Sequence, residues 1–329
     1  MLKSLPETAA EEMCAVSACL QELFRKTRGF LKTSVGDFEE GLAKDLLMAG
    51  KRLECRGSPK ANRKAWHGSP LAYEHSIAAG TVVTGKLRKQ AAKIVGYVFD
   101  ATSGLTELTV DWVTGHPFAL PVFASATGTT SKKFRNERNI GNSSDRRIGK
   151  TDAARIVATL RSGKILAKRE VMAGMESAIE GIVRDRIGKV INEDFVRRAL
   201  DEAGIPYLRD APGADAIEGI LGASRADFAI PAAAAPKAFI EVRKSGMNHA
   251  SMFANDLSMT VIDRISRHPE CVSILLFDGA WSGPAKEKLE RAFDHVFHVL
   301  ESDSAAATIK RHLAGEDMRK AGRLYLTSR

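Results

Sequence analysis

Between Lys237 and Phe277 the hydrophobic pattern changes period twice, and each change marks a different kind of element. The segment KAFIEVR (237–243) has the composition of a strand. Phe253, Leu257, Val261 and Ile265 then fall four residues apart with Ile262 alongside, which is one face of a helix. The next segment, CVSILLF (271–277), is a short continuous apolar run, the pattern of a strand buried on both faces of its sheet. A strand of that kind needs helices above and below it, so this stretch restricts the C-terminal half to a layered α/β architecture.

The flanking sequence extends the order. Val171, Met175, Ile179, Ile182 and Val183 form an apolar stripe that predicts a helix over about 168–187. Asn192 is placed to cap a second helix, with Glu193 and Asp194 in its first turn, Phe195, Val196, Ala199 and Leu200 on its buried face, and Gly204 closing it. Residues 205–209 and 225–230 read as strands, the latter ended by Pro231. After Gly279 and Gly283 a core helix is expected over about 284–300, carrying Leu289, Phe293, Val296, Phe297 and Leu300, with a basic helix and tail beyond Ser302. The order is helices, three strands, helix, strand, helix: an α/β sandwich around a mixed sheet.

The N-terminal half carries a weaker pattern. Helices are expected over 8–26, from Met13, Val16, Leu20 and Leu23, and around 35–53. Residues 94–99, 105–113 and 118–123 have strand-like composition, although 94–99 equally extends a helix. Residues 129–150 (TTSKKFRNERNIGNSSDRRIGK) are rich in Gly, Ser, Asn and Thr and read as a basic loop or linker. The domain boundary is expected near its end, giving a mainly helical or mixed region 1–150 and a core 151–329.

Composition narrows the function classes. The 329 residues hold 49 Lys+Arg against 40 Asp+Glu, a net charge of +9, which favours a polyanionic partner, nucleic acid ahead of membrane. The charge is concentrated. Residues 51–93 hold ten Lys or Arg against Glu54 and Glu74, and 129–150 hold seven against Glu137 and Asp145. Lys132, Lys133, Arg135, Arg138, Arg146 and Arg147 are the candidate DNA-backbone contacts. Every apolar run is far shorter than the roughly eighteen residues a membrane span needs. Glu7, Glu11 and Glu12 precede any long apolar stretch, which argues against a secretory signal. Cys14, Cys19, Cys55 and Cys271 have neither zinc-knuckle nor disulfide-scaffold spacing, so a reducing cytoplasm is the default expectation. The sequence contains no Walker loop, GxSxG elbow, HExxH or dinucleotide fingerprint.

Two carboxylates carry the chemistry. Asp227, in ADFAI, and Glu241, in FIEVRKS, are fourteen residues apart on consecutive strand candidates joined by a short Pro-bounded loop. Such strands bring both carboxylates to one end of a sheet, where paired hard oxygens suit Mg²⁺. Strand alternation puts Arg243 on the Glu241 face and Lys244 on the other. A bulge at Ser245-Gly246 would reverse that and turn Lys244 inward. His249 is a candidate phosphate contact, with helix capping the blander role, and His67 is assigned nothing.

The array Asp227…Glu241-Val242-Arg243, on consecutive strands after a helix, resembles the PD-(D/E)xK nucleases over about residues 168–300. The resemblance implies a restriction-endonuclease-like αβββαβ core, and a chain of this length with a long N-terminal extension is most similar to a type II restriction endonuclease. That implies Mg²⁺-dependent hydrolysis of double-stranded DNA by a homodimer. It also implies a metal-associated Glu on the preceding helix, for which Glu176 and Glu180 are the candidates and Glu180 is placed in the metal set. Two positions depart from the pattern: Ala226 replaces the nominal proline, and Arg243 the nominal lysine. Arginine stays protonated, so it orients water or stabilises charge but is no general base. A repair or junction-resolving nuclease, or a DNA-binding protein with a degenerate core, are the alternative readings.

Overall fold

The computed structural model describes residues 2–141, 143–245 and 250–326. It divides into two compact units, Met1–Ile187 and Gly188–Arg329.

The first unit is helical: α1 (Leu5–Lys26), α2 (Leu42–Gly50), α3 (Pro59–Gly68), α4 (His75–Ala101), α5 (Val110–Gly115), α6 (Leu120–Ala126), α7 (Ser131–Glu137), α8 (Lys150–Ser162) and α9 (Lys168–Arg186). A reciprocal cap starts α1: Ser4 Oγ accepts from the Glu7 amide at 3.3 Å, and Glu7 Oε2 accepts from the Ser4 amide at 2.9 Å. The long α4 is the axis against which α1, α2 and α9 pack. No strand forms among the described residues of this unit. Of the three strand-like stretches, 94–99 extends a helix, the alternative its composition allows, and the other two are helical or loop instead of strand. Leu87, Ala91, Ile94, Val95 and Val98 are all buried along α4, so neighbouring helices override the β-branched composition. In the second stretch Thr109 caps α5 by accepting from the Trp112 amide at 3.1 Å.

The boundary also moves. Residues 129–150 are not a linker between units but part of the first one. Phe134, on α7, and Ile140 and Ile148 are buried, and these three anchors hold a segment whose composition is that of turns. The helix α9, expected to open the core, belongs to the first unit.

The second unit begins with α10 (Glu193–Ala203), closed by Gly204 in the left-handed conformation. Asn192 does not cap it by its side chain: its amide donates to Asp278 Oδ2 at 3.2 Å. The strands β1 (Leu208–Arg209), β4 (Phe228–Ile230), β5 (Ala238–Ser245), β6 (Val272–Gly279) and β7 (His295–His298) form one sheet in that order, with β2 (Ile217–Glu218) and β3 (Ala223–Ser224) as a separate hairpin between β1 and β4. Pairs β1–β4 and β4–β5 are antiparallel; β5–β6 and β6–β7 are parallel. The parallel steps use α11 (Ala250–Arg267) and α12 (Gly283–Ala292) as crossovers. Phe239 and Leu275 share a core with Leu257, Val261 and Ile265 of α11 and Leu289 of α12. On the other side, α13 (Ser302–Leu313) packs on α10, β6 and β7. This is a mixed sheet in an α/β sandwich. The helix expected over about 284–300 is shorter. It stops at Ala292, and Val296 and Phe297 lie on the edge strand β7.

The ends of β5 and β6 meet closely. Gly279 has φ +83°, and a Cβ there would lie 2.2 Å from the Ser245 carbonyl oxygen. Gly279→Ala is therefore expected to cost about 2 kcal/mol or more in unfolding free energy, read from urea denaturation. A cost within about 0.5 kcal/mol would show that this strand end yields freely.

Candidate active site

The ladder between β4 and β5 sets the site. Phe228 pairs with Ile240, so Asp227, one residue earlier, falls beside Glu241. Asp227 Oδ2 accepts from the Val242 amide at 2.7 Å and from Arg243 Nη1 at 2.7 Å. The same guanidinium approaches Glu241 Oε2 with Nη2 at 2.8 Å. Arg243 thus bridges both carboxylates. Lys244 lies on the opposite face of the strand, as alternation requires.

Glu241 is only 2% exposed. A buried carboxylate needs a fixed counter-charge, and α11 supplies one. Arg264, 1% exposed, donates from Nη1 to Glu241 Oε1 at 2.6 Å. Its other donors reach Ser224 Oγ at 2.9 Å and the Arg225 carbonyl at 2.8 Å, and its guanidinium lies 5.1 Å from the Phe239 ring centre. The β2–β3 hairpin delivers those two acceptors and is tied down by Asp263 of α11, whose Oδ1 accepts from the Leu221 amide at 2.6 Å. Burial raises the Glu241 pKa, Arg243 and Arg264 oppose that, and Asp227 adds to it. Burial works against the Arg243 charge, but Glu241, Asp227 and more distant Asp256 hold its pKa above the ordinary arginine value.

A third acid flanks the pair. Glu193, in the first turn of α10, is buried, and its Oε2 accepts from Arg209 Nε at 3.0 Å and Nη2 at 2.7 Å. Burial pushes its pKa from the ordinary 4.5 to about 6; Arg209 opposes this, and the nearby Asp227 charge reinforces it.

The helix preceding the sheet within this unit is α10, so the acid that the second unit brings towards Asp227 is Glu193, not Glu180. Glu180 is exposed on α9, and Glu176 on the same helix is ion-paired with Arg88 of α4 at 2.9 Å. Sequence reasoning gives Arg264 no role and Glu193 only that of a first-turn helix acid. Arg264 did leave a signal: it interrupts the apolar face of Leu257, Val261 and Ile265. Glu193 stood in view as a favourable first-turn acid, and only the sheet gives it a carboxylate neighbour. His249 lies outside the described residues. His67 is on α3, where its Nε2 is 2.8 Å from Thr33 Oγ1. Lys132, Lys133, Arg138, Arg146 and Arg147 are exposed in the first unit, while Arg135 is half-buried and donates to the Ser131 carbonyl.

Two hard carboxylates side by side suit Mg²⁺, which takes one or two carboxylates plus water and phosphate oxygens. Glu241 Oε2 is buried and accepts no hydrogen bond among the described residues, its Arg243 contact being off-line, so it retains ligating capacity. No group of three or more His, Cys, Asp or Glu side chains among the described residues is arranged to hold a metal. The fit is therefore to a two-carboxylate site, with the Arg243 guanidinium standing where a cation would be held. Comparison with protein-family models, curated proteins and solved structures finds no match to this chain.

Two outcomes test this geometry. Arg264→Ala strands a buried carboxylate and should cost about 3–5 kcal/mol of stability in urea unfolding, with Arg264→Lys recovering only part of it. Glu193, with its raised pKa, stays protonated in the folded chain between about pH 4.5 and 6 while the unfolded chain ionises, so its contribution is lost as pH rises through 6. Glu193→Gln should therefore gain on wild type by about 2 kcal/mol between pH 4.5 and 7.5. A pH-independent difference would remove Glu193 from the buried acid set.

Proposed function

We propose that the second unit is a Mg²⁺-dependent nuclease that hydrolyses phosphodiester bonds of double-stranded DNA, of restriction type and working as a homodimer. The observation that carries this reading is the convergence of Asp227 and Glu241 from adjacent antiparallel strands onto one arginine. The succession α10, β1, β4, β5, α11, β6, with the last step parallel, supports it as the αβββαβ order of restriction-endonuclease-like cores.

In this reading Asp227 and Glu241 hold the metal, which when bound polarises the scissile phosphate and lowers the pKa of a coordinated water. Arg264 opposes the protonation that burial favours at Glu241 and fixes where its carboxylate points. Arg243, permanently protonated, exchanges its carboxylate contacts for phosphate oxygens and neutralises charge as it develops. The exposed Lys132, Lys133, Arg138, Arg146 and Arg147, with Arg135, meet the DNA backbone.

Arg243 also favours a second reading. A guanidinium already neutralising both carboxylates suits a DNA-binding protein whose nuclease core is degenerate. Supercoiled plasmid incubated with Mg²⁺ or with EDTA separates the two. Mg²⁺-dependent discrete fragments support restriction, structure-dependent cuts support a repair or junction-resolving enzyme, and binding without cutting supports the degenerate core.

Asp227→Asn and Glu241→Gln should each abolish cutting while DNA binding persists. The amide replacements matter because Glu241→Ala would leave Arg264 buried without its partner. Arg243→Ala should slow cutting by about 30- to 1,000-fold, near the 2–4 kcal/mol typical of one pre-organised charge stabiliser. Arg243→Lys should retain or improve it, and Lys244→Ala should change it little. Wild-type rates in folded Asp227→Asn would remove that carboxylate from the mechanism.

A further inference from the structure

Helix α3 is capped by Ser58, whose Oγ accepts from the Ala61 amide at 3.3 Å, yet its side-chain charge runs against the helix dipole. Its N-terminus, the positive end of the helix dipole, carries no acidic residue in the first turn and has Lys60 there instead. Lys60, Arg63, Lys64 and His67 then follow at helical spacing along one face. With Val35 they line a groove of about 560 Å³ that contains no acidic side chain. None of Lys60, Arg63 and Lys64 forms an ion pair among the described residues. Arg56, Arg52 and Lys51 lie just upstream, with Glu54 the one acid between 51 and 68.

The helix is nevertheless held rigidly. Trp66 is buried, with Nε1 donating to the Leu47 carbonyl at 3.1 Å. Asn62, also buried, accepts from the Arg56 amide at 2.5 Å. Lys51 Nζ donates to the Trp66 carbonyl at 3.0 Å, near the C-terminal end where a cation belongs. Within the groove, Arg63 Nε donates to the Thr33 carbonyl at 3.0 Å, and His67 is bonded to the Thr33 hydroxyl. Burial first, then the Arg63 and Lys51 charges, keeps the His67 pKa below its ordinary range, so the face is positive even without that imidazole. Like charges gathered near the positive end of the dipole on an anchored helix repel one another, and an anionic partner relieves that repulsion.

We propose that the Lys60–Arg63–Lys64–His67 face of α3 is a docking surface for the phosphate backbone of duplex DNA, separate from the 132–147 basic segment. This rests on the reading that the chain works on DNA, and it assigns the first unit a sequence-independent grip that does not pass through the carboxylate site. Lys60 and Lys64 are exposed and supply charge directly, while Arg63 and His67, tethered to Thr33, set the groove's shape.

The test is binding of the full chain to a short labelled duplex in EDTA, followed by fluorescence anisotropy across a salt series. Lys60→Ala/Lys64→Ala should weaken binding at least tenfold at low salt and reduce the log–log salt slope by about 0.9 per lost phosphate contact. Lys60→Arg/Lys64→Arg should restore both. The Lys132→Ala/Lys133→Ala pair should reduce the slope separately, and the two effects should add. An unchanged slope in the α3 variant, with wild type still binding and cutting, overturns this surface and leaves the nuclease reading intact. Binding with the expected slopes but no cutting supports the surface and sinks only the enzyme. Loss of binding to phosphatidylserine vesicles, with the DNA slope unchanged, would assign α3 to a membrane surface and overturn the proposal.

Discussion

A carboxylate in the middle of a buried strand is the constraint around which the second unit is arranged. Glu241 sits in β5 with almost no exposed surface, where an unpaired charge would be prohibitively costly. Arg264 answers it from α11, and satisfying the remaining donors of Arg264 in turn requires Ser224 and the Arg225 carbonyl. That requirement explains the small hairpin between β1 and β4. It adds nothing to the main sheet but brings two acceptors to a guanidinium, and Asp263 holds it in place. Strand, helix and hairpin are thus coupled through one charge pair.

The second arginine has a different status. Arg243 is about one third exposed, touches both carboxylates, and also donates to the carbonyl of the preceding Val242. Arg264 is locked by four partners, two on β5 and two from the β2–β3 hairpin, whereas Arg243 reaches the site from its own strand and keeps part of its surface exposed. Two carboxylates and two guanidiniums therefore meet in a site where one cation is enclosed and the other partly exposed. That division suits chemistry in which an incoming anion or metal displaces the partly exposed partner while the carboxylate geometry stays fixed.

The first unit follows a different logic. Its stability comes from helices packed around α4, and its surface gathers positive charge on short, well-anchored segments. Trp66 beneath α3 and Phe134 beneath α7 do the same job. Each buries an aromatic side chain so that lysines and arginines can be presented at fixed positions. A flexible linker would carry the same charge with a larger entropy loss on binding.

What the sequence determined by itself was the part governed by local period. The helix and strand order of 237–277 reads directly from hydrophobic spacing, because alternation and four-residue repeats are local consequences of backbone geometry. The Asp227–Glu241 pairing and the inward aim of Arg243 were legible for the same reason. Tertiary packing decided the rest. Ile94, Val95 and Val98 have strand composition, yet they lie on α4 because helices cover them. Val296 and Phe297 look like a continuing helix, yet they pair with Leu275 and Leu276 at the sheet edge. Glu180 and Glu193 are both helix acids in the sequence, and only the division of the chain after Ile187 sets Glu193 beside Asp227. Arg264 is the clearest case. A charge in an apolar stripe is an anomaly in one dimension, and it becomes a necessity once folding places Glu241 against it, because burial makes each charge depend on the other.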